Sequence, residues 1–175
     1  GALMKKHLIF HDPSWKISYQ IEATAIQRAF GKNIAYIHHI GSTSIPGIIA
    51  KPIIDILVEV IELSIVDTQE INMAKIGYEA KGAYGIEGRR YFRKHDKKGT
   101  RTHHLHVFAR NNPHVLKHIA FRDYLIAHPK IAKEYSELKE KLAENSQTYQ
   151  GAKEPFITAT LKDALVWKAR SKEDT

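Results

Sequence analysis

No stretch constrains this chain more than residues 34–60, where two β-branched runs, 34–40 and 53–60, enclose Gly41, Ser42, Pro46 and Gly47. That pattern predicts a strand, a turn with a short helix, and a second strand. In the second strand Ile54, Ile56, Val58 and Val60 share one face, because successive side chains of a strand point to opposite sides. Ile53, Asp55, Leu57 and Glu59 share the other. Asp55 therefore stands on the face opposite the core, one strand away from a glycine-bearing loop. Glycine lets backbone come close to a ligand, and a helix starting after Gly41-Ser42 would offer unpaired N–H groups to an anion such as phosphate.

The rest of the chain reads as helices and a hairpin packed around these strands. Asp12-Pro13 opens a helix on which Trp15, Tyr19, Ala23, Ile26 and Phe30 fall on one face before Gly31. After Glu62 a weaker helical pattern places Val66, Met73 and Ile76 together, ending at Gly77. Gly82, Gly85 and Gly88 lack the G-x-G-x-x-G spacing of a dinucleotide loop, so a loop or irregular hairpin is expected there. Residues 89–94 and 102–109 form a hairpin around Lys97-Lys98-Gly99. Asn112-Pro113 caps a helix with Leu116, Ile119, Ala120 and Tyr124 inward, and His128-Pro129 breaks it. Ile131, Tyr135, Leu138 and Leu142 mark a further helical stripe, and a final helix is centred on Phe156, Ile157, Leu161, Ala164 and Leu165. The expected fold is α/β (α+β): a mixed β-sheet with helices on one face, an open polar cleft on the other, and C-terminal helices.

Composition narrows the function classes. Residues 4–170 are read as one domain, residues 1–3 as a tag remnant and residues 171–175 as a charged tail. The chain has no cysteine, which excludes a disulfide framework and a thiolate metal site and fits a cytoplasmic protein. No signal peptide is read, and Lys51, Asp55 and Glu59 interrupt the most apolar stretch, so no membrane span is expected. The formal net charge of +8 favours anionic partners, with a nucleotide or phosphate-bearing small molecule first and nucleic acid second.

Several motifs resemble one known family. Gly41-Ser42-Thr43-Ser44-Ile45-Pro46-Gly47 followed by Lys51-Pro52-Ile53-Ile54-Asp55-Ile56 resembles the signature of the GrpB-like family, placed in the polymerase-β-like nucleotidyltransferase superfamily. Gly88-Arg89-Arg90-Tyr91-Phe92-Arg93-Lys94, Arg101-Thr102-His103-His104-Leu105-His106-Val107 and Phe121-Arg122-Asp123-Tyr124-Leu125 match as well, so the likeness runs from about Asp12 to Trp167. In that superfamily Gly-Ser opens a phosphate-holding helix and a following strand carries paired carboxylates for two magnesium ions. The resemblance implies a metal-dependent nucleotidyltransferase that binds a nucleoside triphosphate and transfers a nucleoside monophosphate to an acceptor. The alternatives are a non-catalytic nucleotide-binding module and a basic nucleic-acid-binding accessory protein.

Candidate site residues follow. The resemblance makes Asp55 the candidate metal-binding carboxylate, with twelve residues between it and Ser42, but its neighbours on that face are Ile53 and Leu57 and not a second acid; a carboxylate that caps the nearby helix or pairs with Lys51 is the alternative. Glu59, two pleats on, is a further candidate metal ligand. Leu105 and Val107 read as core, which places His103 with them and His104 and His106 on the other face as ligands or acid–base groups. The resemblance implies Mg or Mn as the metal, and because imidazole suits zinc, manganese or iron better than magnesium, Zn is the alternative. One of His38 and His39 is expected to face the cleft. Gly41, Ser42, Thr43, Lys51, Arg89, Arg90, Arg93 and Arg122 are the candidate phosphate contacts, since guanidinium and ammonium groups pair with phosphate oxygens.

Overall fold

The predicted strand, turn and strand form one edge of the sheet. The structure, a computed structural model, describes residues 7–143 and 149–173. Strand β1, Ile34–Ile40, pairs antiparallel with β2, Ile54–Val60, so that Ile40 lies opposite Asp55. Ahead of them, helix α1 spans Ser14–Phe30 and buries Trp15, Ala23, Ile26 and Phe30, while Asp12 Oδ1 accepts the Ser14 N–H at 2.9 Å. After β2 the single expected helix is two short ones, α2 (Leu63–Thr68) and α3 (Glu70–Lys75). The break falls at Gln69, whose side-chain amide donates to the Phe30 carbonyl at 2.9 Å and ties the junction to the end of α1. Val66 and Met73 are fully buried on either side of it.

Three more strands complete the sheet: β3 (Glu79–Ala80), β4 (Arg89–His95) and β5 (Arg101–Ala109). The spatial order is β1-β2-β5-β4-β3, with β2 and β5 parallel and the other pairs antiparallel. The hairpin turn is held by Asp96, whose Oδ1 accepts from the N–H groups of Lys98 and Thr100 at 2.9 and 3.0 Å. On one face Ile54, Ile56, Val58, Val60, Leu105, Val107 and Phe92 pack beneath α1, α2 and α3, and this is the main core. Closing that core removes roughly 1.5–3 kcal/mol worth of apolar surface from water for each large side chain.

The opposite face is covered over part of its area by the C-terminal helices α4 (Pro113–Ala127), α5 (Pro129–Leu142) and α6 (Tyr149–Glu173). Asn112 caps α4, its Oδ1 accepting the His114 N–H at 2.9 Å. Val115 and Ile119 of α4 pack on Ile40, Leu57 and Phe108, whereas Ala120, Tyr124 and Leu125 join α5, α6 and the loop residues Ile45 and Ile48 in a second cluster. Leu116, expected inward, is 45% exposed and Val115 is buried in its place. A helix gripped on two sides has a buried arc wider than one stripe, so the 3.6-residue period alone assigns its margins wrongly. On α5 the buried face runs through Ala132, Tyr135, Ser136 and Lys139 and not through Ile131, Leu138 and Leu142, which stay half-buried. Next to Leu57 on this face of β2 stands Asp55, which lines a cleft beside the turn that follows β1. Among the described residues no helix is long and apolar enough to cross a membrane.

Candidate functional site

The open end of the sheet is a cleft of about 460 Å³, lined by Ser42, Thr43, Lys51, Ile53, Asp55, Arg101, His104, Lys139 and Lys153 together with Leu8 and Ala50. Its floor depends on one backbone position. Gly41 follows β1 with φ 73° and ψ −176°, and a Cβ built on it would lie 2.6 Å from Asp55 Oδ2. The Asp55 carboxylate is thus packed directly against glycine backbone. From Gly41 the chain makes one 3-10 turn, Ser42–Ser44, closed by the Ser44 N–H and hydroxyl on the Gly41 carbonyl at 3.0 and 2.5 Å. The expected helix start is only this three-residue turn, too short to act as a helix N-terminus toward phosphate. Thr43 turns inward, its Oγ1 2.9 Å from His39 Nε2.

Strand pairing brings the acid–base residues together. Asp55 lies opposite His104 in the parallel β2–β5 pair, and His106 is two residues further along the same face. His104 Nδ1 and His106 Nε2 stand 3.5 and 3.7 Å from Asp55 Oδ1, in ion-pairing range. Since a carboxylate only accepts, His104 presents an N–H from Nδ1 and leaves Nε2 as its other ring nitrogen, buried and without a hydrogen-bond partner. Arg89, on the neighbouring strand β4, brings Nη1 to 3.4 Å from His106 Nδ1. Burial pushes the Asp55 carboxyl up, but the His104 and His106 N–H groups, with the charge of both rings, push it down further, to about 2. The carboxyl therefore adds stability above pH 4 that is lost as pH falls toward 2. Asp55→Asn is expected to flatten that acid limb by about 2 kcal/mol in urea melts run from pH 5 to pH 2; an unchanged limb would show that the pairing contributes nothing.

His118, Lys139 and Lys153 were not among the sequence candidates. His118 of α4 sits over His106, ring centroids 5.7 Å apart, and burial followed by the neighbouring His106 lowers its pKa to about 4. The i, i+4 spacing of His114 and His118 was the available signal, since it puts both on one helical face. Lys139 of α5 is only 4% exposed, and its Nζ donates to Ser42 Oγ at 2.7 Å and to the Ile49 carbonyl at 2.9 Å, with the Tyr135 ring 4.9 Å away. Burial, then the charge of Lys153, pushes this ammonium down to about 7; Asp55 opposes the shift and Lys51 adds to it. Nothing in the sequence marks Lys139 out, for it lies among other charged residues of α5.

Other candidates lie elsewhere. Glu59 is bonded to His38 at 2.7 Å and does not reach Asp55. Arg90 points to the opposite face, where it makes two bonds to Asp67 of α2 at 2.7 and 3.2 Å. Arg89 shares the Asp55 face but is held by the carbonyls of Ala83 and Tyr84 at 3.2 and 2.8 Å, fixing the glycine-rich loop. Arg93 is 3.7 Å from Glu79, and its Nε and Nη1 are buried without partners. Arg122 donates to the His39 carbonyl at 3.0 Å and to Asp123 at 2.8 Å, and Lys168 completes the cluster. It lines a second cleft of about 540 Å³ beyond Thr43, which His39 also lines. His38 shares the Asp55 face but is taken up by Glu59, and His39 is stacked on Tyr19 at 4.8 Å, so neither lines the Asp55 cleft.

The donor set does not suit a magnesium pair. Mg²⁺ requires near-octahedral oxygen coordination, and two-metal catalysis requires several carboxylate ligands. Asp55 has Ile53 and Leu57 beside it, Glu59 is bonded to His38, and among the described residues no group of three His, Cys, Asp or Glu side chains is arranged to hold a metal ion. What the cleft does contain is one carboxylate amid Lys51, Arg101, Lys139 and Lys153.

The mixed sheet, with its aspartate-bearing strand after a Gly-Ser turn, has the fold of a known nucleotidyltransferase. The fold matches that of Cid1 poly(U) polymerase, solved bound to MgATP, with a TM-score of 0.56 at 11% identity, over 80% of this chain and 45% of that one. More narrowly, the chain belongs to the GrpB family, whose model, described as GrpB protein, matches residues 6–163. The UPF0157 protein YqkA of Bacillus subtilis (strain 168) is 43% identical over 168 residues, covering 94% of this chain and 48% of that protein, so the chain spans about half the length of this relative. The Glutamate-rich protein GrpB of Alkalihalophilus pseudofirmus is 36% identical over 89% of this chain and 94% of its own length. The crystal structure of conserved protein GrpB from Enterococcus faecalis has a TM-score of 0.86 at 39% identity, covering 92% of this chain and 98% of that one.

Proposed function

We propose that this chain binds a nucleotide, with a nucleoside triphosphate as the fullest occupant, by gripping its phosphate chain in the cleft between the Ser42 turn, β2 and α5. The observation that carries this is the convergence of Lys51, Arg101, Lys139 and Lys153 on a cleft with a single carboxylate. Cations lining a partly enclosed site attract phosphate more strongly than the same charges spread over a surface. Lys51 and Arg101 are exposed at the rim and reach a ligand directly, whereas Lys139 acts from below. Asp55 fixes the His104 ring at the edge of the cleft through Nδ1, 3.5 Å from Oδ1. These residues do not supply paired metal ions, so the favoured function is a nucleotide-binding cleft that works through its own cations, not a magnesium-dependent transferase.

Calorimetric titration with ATP, GTP, CTP and UTP, each in Mg²⁺ and in EDTA, tests this. Binding that survives EDTA and weakens about tenfold or more in Lys51→Ala/Arg101→Ala is the expected result. Failure of every triphosphate to bind in either buffer would overturn it, and binding seen only with Mg²⁺ would restore a metal-dependent site.

A further inference from the structure

Lys139 is placed unlike a phosphate-gripping lysine. Its Nζ is directed at two groups of its own chain, Ser42 Oγ at 2.7 Å and the Ile49 carbonyl at 2.9 Å, and the Tyr135 ring lies 4.9 Å away. With 4% exposure, it has little room to swing toward a ligand. Ser42 is in the opposite situation, since its side chain lines the cleft and Lys139 is the partner of its hydroxyl. A buried amine bonded to a serine that faces a substrate cleft is a nucleophile with its base attached. We propose that Ser42 is a nucleophile and Lys139 its general base, and that Ser42 is transiently phosphorylated or nucleotidylated by the phosphoanhydride held in the cleft. This rests on the phosphate-binding function proposed above.

The geometry supports each part of the step. In the neutral amine one N–H of Lys139 still donates to the Ile49 carbonyl, which turns the lone pair toward Ser42 Oγ. Ser42 Oγ attacks phosphorus and the Oγ–P bond forms, while the P–O bond to the leaving phosphate or pyrophosphate breaks and takes the electron pair with it. The hydroxyl proton passes to Lys139 Nζ, and the leaving phosphate or pyrophosphate departs as the anion into the open cleft. Lys51 and Arg101, at the rim, face the charge that builds on the remaining phosphorus oxygens. Water or an acceptor hydroxyl then attacks the phosphorus and loses its proton to solvent, while the Oγ–P bond breaks and Lys139 returns its proton to Ser42 Oγ. The charged groups facing Lys139 are Lys153 of α6, Asp55 of β2 and Lys51 of the connecting loop; with burial they hold the amine near neutrality at about pH 7. A lysine whose only task was to tie α5 to the turn would serve equally well fully protonated.

The test uses the whole chain and a fluorophosphonate, which makes the same Oγ–P bond with fluoride as leaving group, followed by intact mass and peptide mapping from pH 6 to 9. The expected result is one adduct per chain, on Ser42, formed at a rate that rises with pH around a midpoint near 7. Ser42→Ala should not react. Lys139→Ala should react at least about a hundredfold more slowly, and added ethylamine, filling the space left by the side chain, should restore part of the rate. Because the pH profile is measured on the unaltered chain, it stands even if the variants fold poorly. No adduct at any pH, an adduct elsewhere, or an unaltered rate in Lys139→Ala would overturn the assignment. Triphosphate binding without a Ser42 adduct would sink the nucleophile and leave the binding cleft standing; a Ser42 adduct with no triphosphate binding would do the reverse.

Discussion

Gly41→Ala is expected to lower the unfolding free energy by about 2–3 kcal/mol and to abolish nucleotide binding. At φ 73° and ψ −176° Gly41 lies in a backbone region that only glycine enters readily, and a side chain there costs about 1–3 kcal/mol. The added methyl carbon would also fall 2.6 Å from Asp55 Oδ2, inside any tolerable contact. Neither neighbour can yield cheaply. Ile40 and Asp55 are sheet partners on adjacent strands, and Ile45 and Ile48 anchor the connecting loop among the C-terminal helices. The carboxylate must therefore move away from His104 and His106, which disorganises the cleft along with the backbone. Urea denaturation measures the first effect and calorimetric titration with ATP the second. A variant within about half a kcal/mol of the parent that still binds would show that the turn relaxes around the methyl group.

The second large effect is a difference in pH dependence between the parent and Lys139→Met. Burial holds the Lys139 ammonium at about 7 in the folded protein, against 10.5 for an ordinary lysine. Below pH 7 both states carry the proton, and the folded state bears the full cost of the buried charge. Between pH 7 and 10.5 the unfolded chain binds a proton that the folded chain has released. Stability contributed at this site therefore rises with pH across that window. Lys139→Met has no such term, so the stability of the parent relative to the variant should grow by roughly 2–3 kcal/mol between pH 7 and pH 9. Comparing the two proteins cancels the other titrating groups. Parallel stability curves would mean that Lys139 keeps its proton throughout, and would remove the base that Ser42 requires.

How far the site was legible depended on the range of the interaction. Alternation along β2 and β5 placed Asp55, His104 and His106 on one face and His103 on the other, as the structure has them. The helical stripe Trp15, Ala23, Ile26 and Phe30 was equally readable, because one face of α1 meets one core. Margins were less so: the helical period points Leu116 inward where Val115 is buried, since α4 is gripped from two sides. The single helix expected after β2 is broken at Gln69 by a bond to Phe30, a residue thirty-nine positions away. Among the basic residues of β4, Arg90 is paired with Asp67 and Arg89 holds the carbonyls of a loop, neither of which composition could distinguish from a phosphate contact.

By itself, then, the sequence determined which residues share a face of each strand and where the Gly-Ser turn falls, because side-chain alternation and glycine conformation are local properties of the chain. Only the tertiary structure decided that Glu59 would be bonded to His38, that His118 would lie over His106, and that Lys139 would meet Ser42 across ninety-seven residues. A lysine on an amphipathic helix reads as solvent-facing, and it becomes a buried amine only when a neighbouring element supplies a hydroxyl and a carbonyl that offset its loss of water.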